Sequence, residues 1–371
     1  MYFGLEFYGA GKHALELSKE LEKLNCTLYI LSSKVDPTAP QHLKTSKLFH
    51  LKTPGITGLD PFILGFKASQ LISKLARKAD VIHCYQFDSS IITSHSLPVI
   101  YKANETMFGT LKAYLSIAKS ITHLLKIQQL TLASAIEKRI CKNCDKIIAI
   151  SEFIARELSS YYGIPKRKIV VIRDGVNLKR FKPVKHPNKD VIIYLGRLVP
   201  QKGVDLLIKA LPLILKKKPK AKLLIIGKAT TERYDKYLLN LAKKLRVHEN
   251  IRFLGHIPHE KIPQAYSLAD VCVIPSIYEP LGGVALEAMA TQTPVVAFKA
   301  GGLTELLAED RGFLANPYDY VDLAEKVVLA LENKAEAKRR ALLARKWVKK
   351  NANWKTTALK TVQTMRELIS S

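Results

Sequence analysis

Short apolar runs alternate with helix-length amphipathic segments through this chain, and that alternation restricts the fold more than any other feature. In the first half the strand-like runs are Thr27–Leu31, Asp80–Cys84, Pro98–Ala103 and Lys146–Ile150, with helical segments between them at 62–79 and 111–140. A further run, Ile169–Asn177, contains an Asp-Gly turn and leads into Lys182–Lys189, a Pro- and Lys-rich stretch that reads as a linker. A second series follows at Asp190–Leu198, Lys222–Gly227, Ile251–Gly255, Val271–Pro275 and Pro294–Phe298. Strand and helix in alternation build parallel sheets covered by helices. Two such series imply two open α/β domains, with ligands expected at the carboxyl ends of the strands and in the cleft between the domains. The expected division is 1–183, 184–348 and a tail, 349–371, whose two helices break at Asn351-Ala352-Asn353 and which is long enough to cross back onto the first domain.

A chain of 371 residues is too long for one ordinary core, which agrees with two domains. No apolar run is long enough to span a bilayer, and the N-terminus lacks the pattern of a secretory signal. The five cysteines do not form a disulfide framework, so a cytosolic location is expected. Cys26, Cys84 and Cys272 fall in apolar runs and read as small buried hydrophobes. Cys141 and Cys144 form a lone C-x-x-C with no second ligand pair nearby, so no metal site is assigned.

Lys and Arg outnumber Asp and Glu by 59 to 32, a net charge of +27. The partner is therefore anionic: a nucleotide, a phosphosugar, a nucleic acid or a membrane face. The basic runs 215–223 and 334–346 lack the interleaved aromatic rings of single-strand binders, which ranks nucleic acid low. Residues 106–136 contain no acid. Across 111–127 a helix would carry Lys112, Ser116, Lys119, Ser120, His123 and Lys126 on one face, with Tyr114, Leu115, Ala118, Ile121 and Leu125 on another. Such a helix suits the surface of an anionic membrane; the competing reading is an ordinary surface helix packed on its sheet.

Against this basic background, Glu279 and Glu287 bracket a Pro-Leu-Gly-Gly turn between a strand and a helix. Glycines there let a ligand approach the backbone, and the free N–H groups of a helix start favour a phosphate. Glu287, one turn inside the helix, is in reach of ribose hydroxyls, and Glu279 of whatever the phosphates carry. The competing reading is two acids that stabilise a helix N-terminus. A matching element lies upstream: a strand stops at Gly196, a helix starts near Gly203, and the loop between them carries Arg197 and Lys202. Two cations at a strand end are what a diphosphate leaving group needs, since charge builds there as the bond breaks.

These segments resemble the retaining glycosyltransferases of family 4. The resemblance is carried by G-R-L-x-x-x-K-G-x-D-x-L-I, I-R-F-L-G-H-I-P and I-P-S-I-Y-E-P-L-G-G-V-A-L-E-A-M-A-T-Q-T-P-V-V-A-F, and it extends back through I-A-I-S-E-F-I-A-R-E-L and V-I-R-D-G-V-N. It implies the GT-B architecture: two Rossmann-like domains facing each other across a deep cleft. It also implies a nucleotide-diphosphate sugar donor, UDP- or GDP-linked, a saccharide or lipid-linked acceptor, and neither a metal nor a cofactor. In that frame Arg197 and Lys202 hold the donor diphosphate, Glu279 meets the transferred sugar, Glu287 meets the ribose, and the backbone at Gly196, Gly282, Gly283 and Val284 meets phosphate or sugar. Arg197, Lys202 and Glu279 would be the catalytic set.

On the acceptor side the match thins. Tyr8-Gly9-Ala10-Gly11-Lys12 matches the family's glycine-rich turn beside the donor phosphates, with an ordinary tight turn as the alternative. Only seven residues precede Tyr8, so the first strand is either compressed into Tyr2–Phe7 or absent from the chain as given. Asn104 stands where relatives often carry a histidine, and it cannot accept a proton at neutral pH. His83 reads equally as an acceptor-side group and as a core histidine. Two rivals to transfer stay open: hydrolysis or epimerisation of the nucleotide sugar, and a catalytically silent member that holds an anionic membrane or nucleic acid.

Overall fold

The structure, a computed structural model, describes residues 10–32, 43–52, 60–85, 97–116, 124–187 and 189–370. The chain divides into two compact units, Met1–Gly175 with Trp354–Ser371, and Val176–Asn353.

In the first unit, α1 (Ala10–Lys23) precedes a two-stranded parallel pair, β1 (Tyr29–Ser32) and β2 (Lys47–His50). After α2 (Asp60–Leu75), the strands β3 (Ile82–Tyr85), β4 (Val99–Ala103), β5 (Lys146–Ala149) and β6 (Ile169–Val171) pair in parallel in the order 3-4-5-6. Between β4 and β5 lie α3 (Met107–Leu115) and α4 (Leu124–Asn143), and α5 (Glu152–Tyr162) precedes β6. The cause of α5's limits is local. Ser151 accepts a bond from the Ile154 N–H at its start, and Gly163 takes the left-handed conformation at its end (φ 70°).

The second unit holds one parallel sheet in the order 12-11-10-7-8-9. Its strands are β7 (Val191–Leu195), β8 (Lys222–Ile226), β9 (Ile251–Gly255), β10 (Val271–Ile274), β11 (Val295–Phe298) and β12 (Phe313–Ala315). The helices α6 (Val204–Lys217), α7 (Glu232–Lys244), α8 (Ile262–Tyr266), α9 (Gly283–Thr291), α10 (Gly302–Leu306) and α11 (Tyr320–Glu332) connect them, and α12 (Lys334–Asn351) follows. Ile192, Tyr194, Leu207, Leu211, Leu223, Val273 and Phe298 belong to one core cluster, each at most 2% exposed. Strands buried on both faces must be apolar throughout, which is why these runs do not alternate. The last helix, α13 (Trp354–Ile369), belongs to the first unit, where Trp354 and Ala358 pack with Ala14, Leu17 and Leu21 of α1.

Both units are therefore Rossmann-like α/β layers, but several details depart from the sequence reading. The division falls at Gly175/Val176 rather than at 183/184, because Val176 N–H bonds to Ala352 O and Val184 N–H to Thr291 O, both in the second unit. Likewise the tail joins the first unit at Trp354, not at 349. The strand expected to run from Ile169 to the Asp174-Gly175 turn stops at Val171, and Asp174 beyond it joins a buried ion pair. The helix expected over 111–140 is two helices: α3 ends at Leu115 with Ser116 as its cap, and α4 starts at Leu124. Lys119, Ser120, Ile121 and His123 lie outside the described residues, as do Gly9 and the proposed first strand, Tyr2–Phe7. Two strands, β2 and β12, are too short to stand out in the sequence, at four and three residues.

Candidate active site

In the second unit the loop after β7 folds against the loop after β10. Gly203 makes this possible: it sits at φ 65°, and a Cβ there would lie 1.9 Å from Pro275 O. No other residue tolerates both the conformation and the contact. The Ile277 N–H bonds to Gln201 O at 3.0 Å and locks the two loops together. Lys202 is thereby carried to Glu279, its Nζ 2.7 Å from Oε2, and Ser276 Oγ donates to the same oxygen at 3.1 Å. Both charged side chains are mostly enclosed, at 22% and 14% exposure, so the attraction is screened less than at an open surface. Arg197 is exposed, and its backbone carbonyl accepts from the Tyr194 hydroxyl at 2.9 Å. Burial pushes the Tyr194 phenol well above its ordinary range and keeps it a donor.

Gly282, at φ 107°, turns the chain into α9; a Cβ there would lie 2.8 Å from Leu303 Cδ2. Gly283 and Val284, both half-buried, form the first turn of α9, where backbone N–H groups lack helical partners and the dipole is positive. Glu287 follows one turn in. Its Oε2 accepts from the Tyr266 hydroxyl at 3.3 Å, and its Oε1 lies 3.4 Å from His259 Nε2. Burial first, and the Glu287 charge second, hold the Tyr266 phenol well above its ordinary range. The same two causes push the neighbouring Cys272 thiol up, so it stays unionised.

In the first unit a different cluster occupies the carboxyl ends of the strands. Asp174, 1% exposed, pairs with Lys102 of β4, itself 1% exposed, and with His13 Nδ1 of α1 at 2.8 Å. Burial alone would raise the Asp174 carboxyl, but Lys102 and His13 hold it well below the usual carboxylate range. His83 is buried, its ring centroid 4.9 Å from that of Tyr85, and among the described residues neither ring nitrogen has a hydrogen-bond partner. Burial and the Lys102 charge push His83 far below its ordinary value, so its imidazole is neutral. The amide oxygen and nitrogen of Asn104 are also enclosed, and neither finds a partner among the described residues. Gly11 is buried and Lys12 half-buried on the first turn of α1.

The structure thus brings Lys202 to Glu279, and sets Glu287, Gly282, Gly283 and Val284 around one helix start. His13, Lys102, Asp174, Ser276, His259 and Tyr266 escaped sequence reading. One signal was legible: Lys102 is a lone cation in the apolar run Pro98–Ala103, and a charge in a central strand requires a buried partner. All five cysteines are free, and among the described residues no group of three or more His, Cys, Asp or Glu is placed to hold a metal.

Two Rossmann-like units, each built on parallel strands, with a glycine turn, a paired cation and carboxylate and a second carboxylate one helical turn on in the second unit, place the chain among α/β proteins with a site at the strand ends. The chain belongs to the group 1 glycosyltransferases. The family model "Glycosyl transferases group 1" matches residues 176–347, and "Glycosyltransferase Family 4" matches 7–180. A glycogen synthase of Mycobacterium tuberculosis is 30% identical over 310 residues, covering 81% of this chain and 71% of the relative. A mannosylfructose-phosphate synthase of Agrobacterium fabrum is 33% identical over 201 residues, covering 50% and 44%. Among solved structures, the sucrose-phosphate synthase of Thermosynechococcus elongatus superimposes with a TM-score of 0.82 at 25% identity, over 99% of this chain and 95% of that one. An Anabaena protein solved with UDP and glucose shares the fold, with a TM-score of 0.76 at 22% identity over 98% of both chains. The protein is therefore a glycosyltransferase enzyme of GT-B fold.

Proposed function

We infer that the chain transfers a hexose or related sugar, with retention, from a nucleoside-diphosphate sugar to a saccharide or lipid-linked acceptor. The observation that carries this reading is the 2.7 Å contact between Lys202 and Glu279, two groups from separate motifs, at the turn before α9. Lys202 and Arg197, with the first N–H groups of α9, supply positive charge for the diphosphate. The reading therefore assigns the leaving-group role to protein groups rather than to a metal. Glu279 takes hydroxyls of the transferred sugar and Glu287 those of the ribose.

In the step itself the bond from the anomeric carbon to the phosphate oxygen breaks, and its electron pair leaves with the diphosphate. The acceptor oxygen bonds to the same face of that carbon, and its proton passes to a phosphate oxygen. Removing one such charge-stabilising group typically costs about 10²–10³ in rate. The buried His83 and half-buried Asn104, whose enclosed polar atoms find no partner among the described residues, are the first-unit groups we assign to acceptor hydroxyls, since such atoms call for a ligand or water. By family resemblance Gly9 and Gly11 are assigned to the donor side of the first-unit glycine turn, and Lys12 to the acceptor side.

A lipid-linked acceptor is favoured by one observation. Leu115, Leu124, Leu125 and Leu132 are 49–73% exposed on α3 and α4, which also carry the exposed Lys112 and Lys126, apolar and cationic side chains of the kind that suit an anionic bilayer. Among the described residues no helix is long and apolar enough to cross a membrane.

The test is a calorimetric screen against UDP-, GDP- and ADP-sugars, without metal and then with magnesium. Metal-free binding of one donor that is lost in Lys202→Ala and Glu287→Ala supports the reading; a folded protein that binds none of them overturns it. Product analysis with donor alone separates transfer from hydrolysis or epimerisation.

A further inference from the structure

We propose that His259 is a positioning residue for ribose recognition, setting the Glu287 carboxylate to take the vicinal hydroxyls of a nucleoside diphosphate. The proposal rests on the donor-binding reading above. Glutamate has three rotatable side-chain bonds, and a carboxylate that must meet a diol in one orientation gains from being fixed beforehand. Here each carboxylate oxygen has its own neighbour: the Tyr266 hydroxyl at 3.3 Å from Oε2, and His259 Nε2 at 3.4 Å from Oε1. Tyr266 is anchored further, since its hydroxyl also lies 3.3 Å from Val284 O in the first turn of α9.

The two rings are held as a frame. Phe181, 1% exposed, meets His259 edge-on at 6.0 Å and 87°, and meets Tyr266 at 6.3 Å and 70°. His259 opens the short 3₁₀ turn His259–Lys261, just after Pro258. Both His259 and Glu287 are mostly enclosed, at 16% and 18% exposure, so water competes little for the polar contact between them. A carboxylate offers about four acceptor directions, so it can be held from one side while it accepts a diol from the other. His259 therefore acts through Glu287 and touches no reacting atom.

Calorimetry with UDP and 2′-deoxy-UDP, and with the ADP and GDP pairs, tests this on the full chain. In His259→Ala we expect affinity for the ribonucleotide that wild type binds to fall by up to about tenfold, the cost of ordering one free side chain on binding. The 2′-deoxy form should lose less, so the ratio between the two shrinks. His259→Gln, whose amide N–H reaches near the imidazole Nε2, should restore most of the loss, and all variants should unfold at the wild-type midpoint. Unchanged binding in His259→Ala, an equal loss for both nucleotides, or a folded Gln variant no better than Ala overturns the proposal. A wild type that binds none of the nucleotides overturns the donor reading and this proposal together.

Discussion

Lys202 and Glu279, 77 residues apart in the chain, meet at 2.7 Å only because Gly203 lets the β7 loop lie against Pro275. Substituting either member leaves its partner mostly enclosed without this counter-charge. Lys202→Ala should lower kcat with the true donor by about 10²–10³ while the protein stays folded. Steady-state kinetics with a thermal-unfolding control measures this, and a rate within a factor of a few of wild type refutes it.

Gly203→Ala should be worse for binding than its size suggests. The left-handed backbone and the 1.9 Å approach to Pro275 O both forbid a Cβ, so the loop must move and take Lys202 with it. The expectation is loss of donor affinity together with a lowered unfolding midpoint. Gly163→Ala, also at positive φ but with open space around it, should lower stability alone.

Glu137 and Asp174 tilt the pH dependence of stability in opposite directions. Glu137, 1% exposed, accepts bonds from the Tyr101 and Tyr162 hydroxyls at 2.8 and 2.6 Å and from the Met107 N–H at 2.6 Å. Burial outweighs those bonds and raises its carboxyl to about 7 from 4.5. The unfolded chain therefore loses this proton first, and stability falls as pH rises from about 4.5 to about 7, by something on the order of 3 kcal/mol. Glu137→Gln cannot ionise and should flatten that slope in urea titrations at a series of pH values.

For Asp174 the folded value is depressed, so its stabilisation is fully present above the ordinary aspartate range and is lost as pH falls below about 4. Asp174→Asn leaves Lys102 buried without its counter-charge, which costs about 3–5 kcal/mol. A double variant, Asp174→Asn with Lys102→Met, should recover much of this, because it removes both charges. No recovery in the double variant would show that the ion pair is not the source of the loss.

The surface reading of the first unit is checked by sedimentation with vesicles. Full-length protein should pellet with phosphatidylglycerol vesicles and not with phosphatidylcholine alone. Leu125→Glu, at 73% exposure, should abolish the effect without altering donor binding. Equal recovery of both proteins in the supernatant contradicts it.

The chain's own order of residues announced the two α/β series, because a buried parallel strand must be apolar end to end and its covering helix amphipathic. That pattern is local, and so are the glycine turns at Gly203 and Gly282 and the spacing of Glu279 from Glu287. What the linear order hid was pairing across distance. Asp174 looked like part of an Asp-Gly turn after a strand, and Lys102 like an odd residue in an apolar run; only folding buries the two together, with the half-exposed His13 against Asp174. His259 and Tyr266 carried no motif, yet packing around Phe181 brings both to Glu287. Periodicity and turn chemistry act over a few residues and can be read along a line. The electrostatics of a site depend on which distant groups share its enclosure, and that follows only from how the elements pack.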